Sequence, residues 1–300
     1  MKYFDTHCDT LYALTRRERK FDNDVNQVTL RGIKDYEVYE QMFAVWSHPS
    51  RTDDENWAFF LRAVETYKKE LVPLRSKSFI PHLSVEGGAL IRDDISRLDV
   101  LSKLGVRMFA LVWENECLIG GAHNTNIGLT PFGKEVVKRL CELDIVPDVS
   151  HASDKMTYET CEIAAGLGCP VSASHSNSRT VRPHQRNLTD EMFRMIRDSG
   201  GTVGVNLCCA FLGDRINNVI KVSDVLTHIE HFLSLGGEDT VCLGCDLDGI
   251  HTLPAPMKGV RDVYMIAEEM KKSGYSDELI DKITYSNASA FFAKHGKDRL

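Results

Sequence analysis

The 300-residue chain has no long hydrophobic run. Its most apolar stretch, Val106–Trp113, is interrupted by Arg107 and falls far short of the ~20 residues that a membrane helix needs. No dense Lys/Arg stripe is present either. The 36 basic residues are outnumbered by 43 acidic ones, for a formal net charge of −7, so neither nucleic acid nor an anionic membrane surface is an expected partner. The G-x-S-x-G elbow and the G-x-G-x-x-G loop are both missing, which removes the commonest serine-hydrolase and dinucleotide signatures. There is no repeat at a fixed period, and no apolar signal segment follows Met1-Lys2-Tyr3. The nine cysteines are odd in number and lie mostly in apolar stretches. That argues against a disulfide scaffold and for a reduced, cytoplasmic protein.

What is present is an alternation of apolar, β-branched segments with amphipathic ones. Strand patterns run over Tyr3–Asp9, Gln41–Ser47, Phe79–Glu86, Val106–Trp113, Ile145–His151, Pro170–His175, Thr202–Leu207 and Thr240–Asp246. Helical spacing lies between them, as in Asn56–Leu71, Phe132–Leu143, Lys155–Leu167, Thr189–Asp198 and Val222–Leu235. Eight strands joined mostly by helices predict an α/β fold, a (β/α)₈ TIM-like barrel occupying residues 1–300 as one domain. An open doubly wound sheet has the same alternation, and periodicity alone does not separate the two. Leu14–Gln41 is polar and is expected to form a long loop plus a helix on the rim.

The chemistry-bearing residues fall at strand ends. His7 and Asp9 end the first strand, Glu86 the third, His151 the fifth, His175 the sixth and Asp246 the eighth. In a barrel these ends converge on one mouth, where the catalytic groups of such enzymes gather. Taken singly the signals are weak. About one His-x-Asp pair like His7-Cys8-Asp9 is expected by chance at this composition, and a lone histidine is more often a hydrogen-bonded structural residue. Glu86 resists a bland reading, because a carboxylate ending an apolar strand is costly to bury without a cation. Taken together, imidazole nitrogen and carboxylate oxygen without thiolate fit Zn²⁺ or a similar divalent ion. Glu86 has two oxygens with which to bridge two ions ~3.5–4 Å apart. Cys242-Leu243-Gly244-Cys245 and Cys208-Cys209 read as core packing. The basic cluster Arg179, Arg182, His184 and Arg186 would overhang the mouth, where a guanidinium can grip a carboxylate.

Asp5-Thr6-His7-Cys8-Asp9-Thr10, Gly128-Leu129-Thr130-Pro131-Phe132-Gly133, Asp148-Val149-Ser150-His151-Ala152-Ser153, Ser174-His175-Ser176-Asn177-Ser178, His184-Gln185-Arg186-Asn187-Leu188 and Asp246-Leu247-Asp248-Gly249 carry a family likeness. In combination they resemble the renal-type (membrane) dipeptidase family of the amidohydrolase superfamily, in order from about residue 4 to residue 292. The resemblance implies a distorted (β/α)₈ barrel with a two-zinc site. It implies hydrolysis of dipeptides, L-L and also L-D, by a hydroxide bridging the ions. His7 and Asp9 would hold the first ion, His151 and His175 the second, and Glu86 both. Asp246 would move protons, and Arg186 would grip the substrate's carboxylate.

Where better-known animal members have a substrate-contacting histidine after strand four, this chain has Trp113, in the segment Leu111-Val112-Trp113-Glu114-Asn115-Glu116. Trp113 and Asn115 are the substrate contacts expected there. The secretory signal and lipid anchor of the animal enzymes are not expected, and a homodimer rests on the likeness alone. Two alternatives use the same residues. One is an amidohydrolase acting on lactam, N-acyl-amino-acid or ester bonds, and the other is a non-enzymatic metal-binding barrel. A deaminase is disfavoured by His-x-Asp in place of His-x-His, and a lysine-bridged hydrolase by Glu86.

Overall fold

The eight strand segments expected from the sequence are all strands in the computed structural model, which describes residues 1–214 and 218–297. They are β1 (Lys2–Cys8), β2 (Val38–Trp46), β3 (Phe79–Glu86), β4 (Val106–Ala110), β5 (Val146–Asp148), β6 (Ser172–Ala173), β7 (Thr202–Val205) and β8 (Val241–Leu243). Each pairs in parallel with its neighbours in sequence, and Asp5 of β1 pairs with Leu243 of β8, which closes the sheet. An open doubly wound sheet would have left two edges unpaired, so the barrel is the right member of the pair.

Helices Asp53–Glu70, Ser96–Lys103, Pro131–Glu142, Asp154–Gly166, Asp190–Asp198 and Val222–Ser234 supply most of the crossovers. Their starts are local in origin. Thr52 and Glu55 form a reciprocal capping box. The hydroxyls of Thr130, Ser153 and Thr189 accept the backbone N–H of Gly133, Met156 and Met192, each cap stabilising its helix by about 1 kcal/mol. No helix among the described residues is long and apolar enough to cross a membrane.

Two expectations need correction. β2 begins at Val38 rather than Gln41, because Val38–Glu40 already pairs with Lys2–Phe4. Residues 14–41 therefore hold the end of helix Thr10–Arg17, a loop, one helical turn at Leu30–Ile33 and the start of β2. The ladders of β5, β6 and β8 are also shorter than their apolar runs, since the chain leaves regular pairing as it approaches the mouth.

Core packing divides at the strands. Phe4, Met42, Met108, Val146 and Cys242 form one cluster with Ala288, Phe291 and Phe292 of the last helix, Asn287–Lys294, which closes the end of the barrel opposite the mouth. Residues such as Tyr3, Phe43, Val45 and Phe109 belong to the larger cluster between strands and outer helices. The closing helix is fastened by a buried charge cluster. His82 Nε2 lies 2.7 Å from Glu40 Oε1, and Arg107 Nη1 lies 2.9 Å from His82 Nδ1. Arg107 also donates to the carbonyls of Phe292, His295 and Gly296.

Removing one member of such a buried set leaves the others uncompensated. Arg107→Met is expected to cost about 3–5 kcal/mol of stability, with amides of 287–294 the first to gain hydrogen exchange. A urea midpoint equal to that of the parent would refute this account of the closure.

Candidate metal centre

His7 ends β1 together with Cys8, Asp9 follows directly, and Glu86 is the last residue of β3. His151, His175 and Asp246 lie just past the ends of β5, β6 and β8. Barrel closure brings all six into one cluster, five of them buried and His151 partly exposed. His7 Nε2 is 3.6 Å from Asp9 Oδ2, 3.7 Å from Glu86 Oε2 and 3.9 Å from Asp246 Oδ1. On the other side of Glu86, its Oε1 is 2.9 Å from His151 Nε2 and 3.6 Å from His175 Nε2. Two groups have the spacing of a cation site, His7–Glu86–His175 and His7–Asp9–Asp246.

The electrostatics show what the cluster is short of. Burial opposes charge on His7, but Glu86, Asp9 and Asp246 outweigh it and lift the imidazole to about 10. Burial and the neighbouring Asp9 push Glu86 up well above the carboxylate range. Asp246 rises to about 6 through burial, with His7 acting against the rise. His151 and His175 go the other way: burial, Arg186 and neighbouring imidazoles hold both well below an ordinary histidine, hence neutral. Neutral imidazoles and anionic carboxylates are the ligand forms that a divalent ion requires. His7 Nε2, Asp9 Oδ1 and His151 Nδ1 are buried with no hydrogen-bond partner, a deficit that native interiors rarely tolerate. The donor set fits divalent cations.

The candidate ligands are oriented from behind. Asp148 accepts from the backbone N–H of Ser150 and Ser174, both 2.9 Å, and from the Ser174 hydroxyl at 2.5 Å. That hydroxyl has one proton and gives it to Asp148. Its contact with His175 Nδ1 at 2.7 Å must therefore be Nδ1–H donating to Ser174 Oγ, which leaves Nε2 with a free lone pair toward the cluster. Asp5 does similar work on β1, accepting from the backbone N–H of His7 at 3.1 Å and of Cys245 at 2.9 Å. His151 and Asp246 sit at φ +72° and +60°, a region sparsely used by residues with a side chain. A Cβ on Gly249 would come within 2.3 Å of Asp9 Oδ2 and 2.4 Å of Asp246 Oδ1, so only glycine leaves these carboxylates their places.

A mouth cavity of about 720 Å³ opens over the cluster, with Asp9, Glu86, His151, Asp246, Trp113 and Arg186 in its lining. Arg186 is buried and has no carboxylate partner among the described residues. Nη2 donates to the His175 carbonyl at 3.4 Å, while Nε is unpartnered. Trp113 packs edge-on against Trp46, with ring centroids 4.6 Å apart. Asn115 is not brought to this cavity. It lines a neighbouring one of about 580 Å³, and its side-chain amide pairs with that of Asn124. Of the basic cluster, Arg179 is turned away and held by Asp154 through two bonds of 2.6 and 2.7 Å, whereas His184 does reach the cavity. Sequence reasoning did not find Trp46, His48 or His123 in the lining, nor Asp5 and Asp148 behind the ligands. The first three arrive from loops or a strand end with no metal spacing to mark them.

The sequence profile of the membrane dipeptidase family (Peptidase family M19) matches residues 1–294. An "Uncharacterized protein in pqqA 5'region" of Klebsiella pneumoniae is 33% identical over 68% of this chain and 77% of its own length. Human "Dipeptidase 3" is 28% identical over 72% of this chain, and the match spans 45% of the human protein. Among solved structures, a metallo peptidase from Rhodobacter sphaeroides, liganded with a phosphinate mimic of the dipeptide L-Ala-D-Ala, superposes with a TM-score of 0.88 at 24% identity. That superposition covers 98% of this chain and 99% of the other. The structure called "dipeptidase AC, Metallo peptidase" gives 0.89 at the same identity. These structural likenesses bear on the fold.

If Ser174 fixes the His175 tautomer, Ser174→Ala should weaken divalent-metal affinity about 10- to 100-fold with little change in melting temperature of the metal-free protein. Competition against a fluorescent chelator measures it, and parental affinity would show the hydroxyl to be idle.

Proposed function

The chain belongs to the membrane dipeptidase family (Peptidase family M19), and from that membership we propose that it is a binuclear dipeptidase using zinc. The observation that carries the reading is the two-sided placement of Glu86, with Oε2 toward His7 and Oε1 toward His151 and His175. In this reading His7 and Asp9 hold one ion, His151 and His175 the other, and Glu86 spans both. Divalent ions held there supply Lewis acidity that polarises the scissile carbonyl and acidifies a water molecule.

The chain's own groups do the rest. Arg186 receives the substrate's terminal carboxylate, and its burial strengthens the charge-assisted bonds. Asp246 Oδ2 is occupied by the Asn206 amide at 3.0 Å, so Oδ1 is the oxygen that takes the proton from the attacking water and returns it to the departing amine nitrogen. Trp113 and Trp46 form an apolar wall beside the scissile position. The L-Ala-D-Ala mimic bound by the Rhodobacter sphaeroides protein supports acceptance of a D-residue at the C-terminal position. The scattered cysteines, nine in all, favour a reducing, cytoplasmic setting.

Because Arg186 requires a free carboxylate one residue past the scissile bond, kcat/KM for Ala-Ala should exceed that for Ala-Ala-Ala by more than 10-fold. Equal cleavage of the tripeptide would remove the carboxylate gate. Treatment with a chelator should abolish hydrolysis and added Zn²⁺ restore it. His151→Ala should lose one ion per chain and most turnover, and full activity with full metal content in that variant would relocate the site.

A further inference from the structure

His123 lines the mouth cavity, and the reading above leaves it without a task. It lies in the long connection between β4 and helix Pro131–Glu142, and that connection is built to present it. Asn115 and Asn124 are joined by two bonds, Asn115 N–H to Asn124 Oδ1 at 2.9 Å and Asn124 Nδ2 to Asn115 Oδ1 at 3.0 Å. The Ala122 N–H donates to the Asn115 carbonyl, and the Thr125 N–H closes a turn onto the Ala122 carbonyl. His123 therefore occupies the second position of a tight turn, stapled on one side to Asn115. On the other side its own N–H donates to the His151 carbonyl at 2.7 Å.

The ring so presented has nothing to bind in the protein. Nδ1 is buried without a partner, and among the described residues Nε2 has none either, although the side chain lines the mouth cavity. Its ring centroid is 5.9 Å from that of His151. Arg186 and the imidazole of His184 line the same cavity. This corner of the cavity thus sets the Arg186 guanidinium, its Nε unsatisfied, beside imidazole groups that can donate N–H. Such a corner is complementary to an anion that arrives with the substrate.

Resting on the dipeptidase reading, we propose that His123 is a second donor to the substrate's terminal carboxylate, binding beside Arg186, so that two residues rather than one select a free C-terminus. The turn acts as a ruler. It sets how far past His151 the carboxylate must lie, and therefore how many atoms separate it from the scissile carbonyl.

The test compares Ala-Ala with its C-terminal amide in the parent, His123→Ala and His123→Gln. The expected result for His123→Ala is a KM for Ala-Ala raised about 10-fold or more with kcat changed much less and KM for the amide unmoved. His123→Gln, which keeps a neutral N–H donor, recovers part of the loss. Metal per chain, read by mass spectrometry, stays at the parental value. An unchanged KM for Ala-Ala overturns the assignment. So does an equal rise on acid and amide, or a loss of metal that accounts for the effect. A parent that cleaves no dipeptide defeats the preceding reading instead. Calorimetry with uncleaved Ala-Ala and its amide then decides this one, which fails if the parent shows no preference for the acid or if His123→Ala retains it.

Discussion

Three carboxylates, Asp9, Glu86 and Asp246, are buried around a single imidazole at the mouth of the barrel. Like charges buried this close are costly out of water, and the surrounding groups answer to that cost. His7 is driven to hold a proton that its burial opposes. Arg186, itself buried, lends its charge to Glu86 and Asp246 from the cavity wall. Divalent cations relieve the same repulsion more completely, so metal binding and the stability of the mouth are one thermodynamic quantity. Only a closed barrel produces this concentration, because the contributing strands are far apart in sequence and would spread along an open sheet.

The layer behind the ligands shows how such a cluster is held in place. Asp5 and Asp148 each accept backbone N–H groups at the points where strands give way to loops. They stand in for ladder hydrogen bonds just where the short strands β5, β6 and β8 run out. Ser174 then passes the constraint from Asp148 to the ring of His175. Polar side chains do at this end what the packing of Phe4, Met42 and Met108 against the closing helix, fastened by Arg107, does at the other.

The pattern of β-branched runs made the strands and the convergence of their ends legible in the sequence, and with it the gathering of His7, Asp9, Glu86, His151, His175 and Asp246. The register of β2 was less legible, because Glu40 interrupts the apolar run even though it is buried in a charge cluster with His82 and Arg107. Asn115 is near Trp113 in sequence, but at φ +60° its side chain pairs with Asn124 and lines only the neighbouring cavity, whereas Trp113 borders both. His123 left no trace in periodicity. It reaches the mouth through a turn whose partners, Asn115 and the His151 carbonyl, are brought to it by tertiary contacts.

The positive φ angles at His151 and Asp246 restrict sequence drift twice over. On the proposed reading a replacement must satisfy an ion or a proton, and it must also accept a mirror-handed backbone, which β-branched side chains resist and asparagine tolerates. Variation that spares the fold at these two positions is therefore funnelled toward a short polar alphabet, whatever reaction the barrel is adapted to perform.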